Sequence, residues 1–154
     1  MIALKKILVP TDFSECSEVA TKYARALSQA FRAELHLIHV LENPYALLAD
    51  PMSFAPPPNF YEDLEAQTRD RLKQICADWE PPQPHVELVT SQGSAFVDIV
   101  RYAREHNIDL IVMGTHGRGA IAHMLMGSVA EKVVRKAPCP VLTVRHPQHE
   151  FVMP

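Results

Sequence analysis

Apolar residues in this chain gather into five short runs, and between them lie segments whose apolar positions recur at helical spacing. Ile7, Leu8 and Val9 form the first run, which stops at Pro10. A continuous apolar run reads as a strand buried on both faces of a parallel sheet, because a half-exposed strand would alternate. Thr11 to Ser14 make a turn, and Val19, Ala20, Tyr23, Ala24, Leu27 and Phe31 then mark an amphipathic helix. Leu35, Leu37, Ile38 and Val40 give a second strand, separated from the first by a helical crossover of the length parallel pairing needs.

The pattern breaks over residues 42–60, which hold five of the 13 prolines together with Tyr, Leu, Met and Phe. This is too apolar for a disordered linker and is expected to be an irregular, partly packed excursion, serving as a lid, a partner surface or a simple insertion. A helix resumes at about Tyr61, with Leu64, Leu72, Ile75, Cys76 and Trp79 inward, and stops before Pro81 and Pro82. Val86, Leu88 and Val89 make the third strand, and Gly93 and Ser94 end it and cap a helix with Phe96, Ile99, Val100 and Ala103 as its stripe. The fourth strand is expected over Ile108 to Met113, the last helix around Val129, Val133 and Val134, and the fifth strand over Pro140 to Val144. Five strands alternating with four helices specify one α/β domain over residues 1–154, with a parallel sheet covered on both faces. Ligands in such sheets bind beyond the carboxyl ends of strands, where the strand order reverses.

Two strand ends carry chemistry. After the fourth strand runs the loop Gly114 to Ser128, whose first six residues contain three of the chain's five glycines, with Gly127 directly before Ser128. Ser128 and Glu131 have the spacing of a capping box, which makes Ser128 the expected N-cap. Glycines before a helix N-terminus form an anion site, phosphate above all, although a tight turn and a cap would use the same residues. Arg118 would supply positive charge, with His116 and His123 as weaker sources. The other end is Pro10, Thr11 and Asp12. If strands one and four are neighbours, Asp12 faces the glycine loop, where a carboxylate suits a ribose hydroxyl, a Mg²⁺ ion or a water.

Composition excludes several classes. A net charge of -3 argues against a general nucleic-acid binder. No apolar run approaches the roughly 20 residues needed to span a bilayer, and the first ten residues lack the order of a signal peptide, so no membrane association and a cytoplasmic location are expected. Three cysteines without a C-x-x-C pair fit a reducing compartment, with Cys16 and Cys76 as small core residues and Cys139 between prolines. His36 and His39 sit three apart on one strand and so point to opposite faces, as structural rather than paired histidines. His146 and His149 fall in a short polar tail. Neither a G-x-x-x-x-G-K-[ST] loop nor a glycine-bearing first turn is present, and no Ser-His-Asp order or G-x-S-x-G elbow supplies a catalytic residue.

Gly114, two residues, Gly117, nine residues, Gly127 and Ser128 reproduce the G-x2-G-x9-G-[ST] loop of the universal stress protein family, on its nucleotide-binding branch. The opening KILVPTDFSECSEVATKYARALS, the HV at His39 and Val40, DLIVMGTHGRG and CPVLTV resemble that family as well, so the likeness spans nearly the whole chain. The resemblance implies an open five-stranded parallel sheet of order 3-2-1-4-5, of the adenine nucleotide alpha hydrolase-like kind. It further implies an ATP site, and the Asp12 carboxylate suits a Mg²⁺ ion bound there with the nucleotide. Pro10, Thr11 and Asp12 would line the ribose and adenine side, and Val40 would contact the adenine. Met113 and Gly114 would begin the phosphate loop, and Gly117, Arg118, Gly127, Ser128 and Val129 would hold the phosphates. A homodimer through the last strand, Pro140 to Val144, is implied too, as is a stress-response sensor or regulator. Slow ATP hydrolysis or self-phosphorylation at Ser128 or Thr115, and a nucleotide-free interaction module, are the alternatives.

Overall fold

The computed structural model describes residues 3–42, 57–116 and 126–145. Their elements run β1 (Lys6–Pro10), α1 (Glu15–Phe31), β2 (Glu34–Leu41), α2 (Phe60–Ala77), β3 (Val86–Gln92), α3 (Ala95–Glu105), β4 (Leu110–Gly114), α4 (Ser128–Lys136) and β5 (Val141–Val144). The strands form one sheet in the order β3-β2-β1-β4-β5, and every neighbouring pair is parallel. This is the expected fold, with strands one and four adjacent. Most of the 42–60 excursion, residues 117–125 of the glycine loop, and His146 and His149 lie outside the described residues.

The central strand explains the two-layered cover. Ile7, Leu8 and Val9 are all fully buried. Strand alternation sends Ile7 and Val9 to one face, where they meet Ala20 and Ala24 of α1 and Leu72 of α2. Leu8 goes to the other, against Ile99 and Ala103 of α3 and Ala130 and Val133 of α4. Neither face is left to solvent, which is why the run is continuous rather than alternating.

Several helix faces differ from the apolar pattern. Tyr23 and Phe31 of α1 are exposed, whereas Ser17, Thr21 and Ser28 are buried. Each of these hydroxyls donates to a carbonyl one turn back: Ser17 to Ser14, Thr21 to Ser17 and Ser28 to Arg25, all at 2.8 Å. Small side chains that satisfy themselves within the helix let α1 lie close on the sheet, and the bulky aromatics turn outward. Val134 of α4 is likewise exposed, and the inward place goes to Ala130. The fourth strand starts at Leu110 rather than Ile108, because the Ile108 amide still bonds the Ala103 carbonyl of α3 at 3.0 Å. Pro140 lies just before β5, its carbonyl accepting from Ile111 of β4 at 3.0 Å. Among the described residues no helix is long and apolar enough to cross a membrane.

The α3 face of the sheet holds a buried polar cluster. His36 is 3% exposed, and its Nδ1 lies 2.8 Å from the Tyr102 hydroxyl. Among the described residues its Nε2 has no hydrogen-bond partner, since Glu34 at 3.6 Å is too distant for a bond and acts through charge alone. Burial holds the His36 imidazole below the ordinary histidine value of 6.5; Glu34 and Glu87 oppose this, and Lys6 and His106 reinforce it. The Tyr102 ring stacks on His106, and its hydroxyl is pushed up to about 12 by burial and by the same two glutamates. With His36 depressed in the folded chain, the unfolded chain takes up the proton first as pH falls. Stability from this group is therefore full above pH 6.5 and is lost below it. Urea unfolding at stepped pH should show a steeper loss below pH 6.5 in wild type than in His36→Gln, by up to about 1.4 kcal/mol per pH unit. Equal slopes in the two proteins would contradict the assignment.

Candidate functional site

The crevice lies where β1 and β4 part. Leu8 of β1 pairs with Ile111 of β4 on one side and with His36 of β2 on the other, so the carboxyl ends of β1 and β4 lie side by side. The chain leaves β1 toward α1, on one face, and leaves β4 toward α4, on the other. A crevice between the two departures follows from that divergence.

The first wall is the turn after β1. Pro10 pairs with Ile38, and the Thr11 amide donates to the Ile38 carbonyl at 2.9 Å, which ties the turn to β2. Thr11 is buried, its hydroxyl accepting from the Phe13 amide and lying 3.0 Å from the Ser17 hydroxyl. Asp12 Oδ1 accepts from the Ser14 amide at 3.0 Å and from the Ser14 hydroxyl at 2.5 Å. Ser14 in turn is the N-cap of α1 and accepts from Ser17. Between them Phe13 takes a left-handed backbone at φ 61°, rare for a bulky residue and costly unless the surroundings enforce it. They do so here: its ring lies against His39 at 4.7 Å and under the Arg71 guanidinium of α2 at 3.8 Å.

His39 is a residue that sequence reading left as merely structural. Its Nδ1 sits 2.7 Å from the Thr11 carbonyl, which can only accept, so this nitrogen carries the proton. It therefore fixes the carbonyl next to Asp12 while supporting the Phe13 ring. The signal was in the alternation, which gives His39 the parity of Leu35 and Leu37, near the end of β2. Val40, next along, turns to the opposite face and is half-buried beside α3, opposite Ser91 of β3.

The second wall is the end of β4. Met113 is buried against α3 and α4. Thr115 is 3% exposed; its amide donates to Val144 of β5 at 2.9 Å, and its carbonyl accepts from the Gly127 amide at 2.6 Å. Its hydroxyl lies 3.0 Å from His116 Nδ1. The Thr115–Gly127 bond closes the base of the glycine loop, so the start of α4 sits against the end of β4. Gly117 and Arg118, within that loop, lie outside the described residues.

The capping box is not formed. Gly127, extended at φ -70° and ψ 156°, takes the N-cap, and its carbonyl accepts from Glu131 at 3.0 Å. The helix consequently begins with Ser128, and Glu131 instead pairs with Arg135 at 2.9 Å. Whereas α1 is closed by Ser14, α4 has no side-chain cap. Its first amides, around Ser128 and Val129, therefore face the crevice end with the positive end of the helix dipole.

Gly114 has a packing reason of its own. A Cβ there would stand 2.8 Å from Cys16 Sγ and 3.1 Å from the Cys16 carbonyl carbon and oxygen. The end of β4 thus meets the first turn of α1 at backbone distance. The three cysteines are free thiols, Cys16 buried, and burial pushes Cys76 and Cys139 up. Among the described residues no group of three or more His, Cys, Asp or Glu has the arrangement of a metal site.

The universal stress protein family profile matches residues 3–145. Universal stress protein MJ0531 of Methanocaldococcus jannaschii is 34% identical over 147 residues, covering 95% of this chain and 85% of its own. A universal stress protein of Thermus aquaticus is 34% identical over 143 residues, covering 92% and 98%. The solved structure of MJ0577, also of Methanocaldococcus jannaschii, superposes with a TM-score of 0.79 at 29% identity, over 96% of this chain and 99% of the other. A universal stress protein solved in complex with cAMP shares the fold at a TM-score of 0.66 and 24% identity, over 93% and 98%.

Gly114→Ala should destabilise the chain by about 1–3 kcal/mol in urea unfolding, the usual cost of overpacking. Adding Cys16→Ala should leave most of that loss, because the Cys16 backbone stays where the new methyl must go. Full recovery in the double variant would show that only the sulfur mattered.

Proposed function

The chain belongs to the universal stress protein family, and from that premise we propose that it is an ATP-binding, homodimeric stress-response sensor or regulator of the cytoplasm. The observation that carries the reading is the uncapped N-terminus of α4, reached through Gly127 and held by Thr115 against the end of β4. An anion there meets backbone amides and a favourable dipole without displacing a side chain. That fits a phosphate chain, and the glycine spacing from Gly114 through Gly117 to Gly127 matches the family's nucleotide-binding signature.

Within this reading the phosphates lie on the amides of Gly127, Ser128 and Val129, and Gly117 and Arg118 are the further phosphate-binding residues. Ser128, exposed at the first position of α4, adds its hydroxyl. The nucleoside runs toward β1 and β2, with Pro10, Thr11 and Asp12 along the ribose side and Val40 against the adenine. Met113 and Gly114 begin the phosphate loop. Asp12 Oδ1 is engaged by the Ser14 amide and hydroxyl, which fixes the carboxylate in the turn, and the group would serve a ribose hydroxyl or a Mg²⁺ ion bound with the nucleotide. His39, by holding the Thr11 carbonyl, keeps this side preorganised rather than touching the ligand.

Equilibrium binding of ATP to wild type and to Gly117→Val/Gly127→Val, with circular dichroism as the folding control, tests the site. The double variant is expected to lose at least tenfold in affinity, about 1.4 kcal/mol. Equal affinity would sink the reading.

The dimer reading rests on β5. Among the described residues it is an edge strand bonded to β4 on one side, and Leu142 on it is 38% exposed. An open apolar edge calls for a partner, and a second β5 supplies one. Sedimentation should give the dimer mass for wild type and the monomer mass for Leu142→Lys; two dimers would place the contact elsewhere.

A further inference from the structure

A second concavity lies at the opposite end of the sheet, where β1 and β2 begin. It has a volume of about 600 Å³ and is lined by Lys5, Gln29, Arg32, Glu34, Pro82 and His85 among others. This is the size range of small-molecule sites. The 17-residue helix α1 separates it from the turn at Asp12, a span of about 25 Å at 1.5 Å per residue.

Its walls are fixed by the fold. The Lys5 carbonyl accepts from the Glu34 amide at 2.8 Å, and the His85 carbonyl accepts from Leu35 at 2.9 Å, so the starts of three chain segments form one floor. Asp109 accepts from the Lys5 amide at 2.8 Å. The rim after α2 is tied to α1 twice, by Gln29 donating to the Pro82 carbonyl and by Arg25 donating to the Glu80 carbonyl, each at 2.8 Å. A ligand entering here would not have to order the backbone first.

The charges of this groove are unbalanced. None of the ion pairs among the described residues uses Lys5 or Arg32. The one carboxylate of the lining, Glu34, is already bracketed by His85 at 3.2 Å and His36 at 3.6 Å. Lys5 and Arg32 thus outnumber the single carboxylate of the lining, which leaves the concavity net positive on a chain whose net charge is -3.

Arg32 carries the argument further. It is the C-cap of α1 and has a left-handed backbone at φ 55° and ψ 40°, with its amide bonded to the Gln29 and Ser28 carbonyls. Glycine is the residue that this conformation favours, and any other side chain costs about 1–2 kcal/mol there. Arg32 thus lines the concavity from a backbone position that glycine would hold at lower cost, and it makes no ion pair among the described residues.

We propose that this groove binds a small organic phosphate, with the Arg32 fork and the Lys5 ammonium on the phosphate oxygens and His85 at the rim. A guanidinium presents paired N–H donors to a phosphate dianion, and the ammonium adds a point charge, which is why phosphate fits better than a lone carboxylate. The rest of the volume accepts the organic part, toward Gln29 and Pro82. The proposal stands apart from the nucleotide reading, since it involves none of the residues between β1 and β4.

Titration of ¹⁵N-labelled protein with glycerol 3-phosphate, and separately with inorganic phosphate, tests it at low salt. Saturable shifts are expected at residues 28–34 and 83–85, with the ester binding more tightly than inorganic phosphate. Arg32→Gly is the discriminating variant: it should raise the melting temperature while weakening ester binding at least tenfold. Lys5→Glu should weaken binding as well, without change in melting. Shifts that never saturate, shifts confined to residues 10–12 and 127–129, or unchanged affinity in Arg32→Gly would overturn the proposal.

Discussion

Parallel pairing of β1 on both of its edges is the constraint from which the remaining structure follows. Strands that run the same way cannot be joined by tight turns, so every connection crosses a face of the sheet as a helix. With β2 on one side and β4 on the other, the chain winds one way from β1 through β2 to β3, then returns past β1 and winds the other way from β4 to β5. That covers both faces, which requires Ile7, Leu8 and Val9 to be apolar without alternation. The same winding leaves the carboxyl ends of β1 and β4 opening away from each other. The crevice is thus a consequence of the topology and not an added feature.

What fills the edges of that crevice is backbone held at close quarters. Gly114 lets β4 meet Cys16 of α1, and Gly127 lets α4 start against Thr115. On the β1 side the turn is held by side chains: Asp12 on Ser14, His39 on the Thr11 carbonyl and Arg71 over Phe13. The strained backbone of Phe13 is sustained by contacts from β2 and α2 together. A turn held from three elements can sustain a backbone conformation that an isolated turn would relax.

The far end of the sheet follows different physics. There the strand starts bring together Lys5, Glu34, His85 and, behind them, the buried His36 with Tyr102. Charge rather than apolar packing dominates, and one residue, Arg32, sits where backbone geometry would choose glycine. The two ends of α1 thus differ in kind: its start is self-satisfied through Ser14, and its end exposes a cation.

The sequence by itself determined the fold class, because periods of two and 3.6 are local and every buried run declared itself in order. It determined the strand count, the uninterrupted burial of β1 and the glycine loop, whose spacing is a property of the chain alone. Which strands neighbour each other followed from resemblance and is now a matter of hydrogen bonds. Side-chain orientation was decided only in three dimensions. Ser17, Thr21 and Ser28 went inside and Tyr23 and Phe31 outside because a helix lying close on a sheet prefers small, self-bonded side chains to large apolar ones. At the start of α4 the capping box at Ser128 is not formed: Gly127, its amide bonded to the Thr115 carbonyl of the β4 end, takes the cap. His39 gained its place beside Asp12, and Arg32 its place in the far groove, from residues on other elements. Local pattern fixes what a segment is, and only contact between segments fixes what each side chain faces.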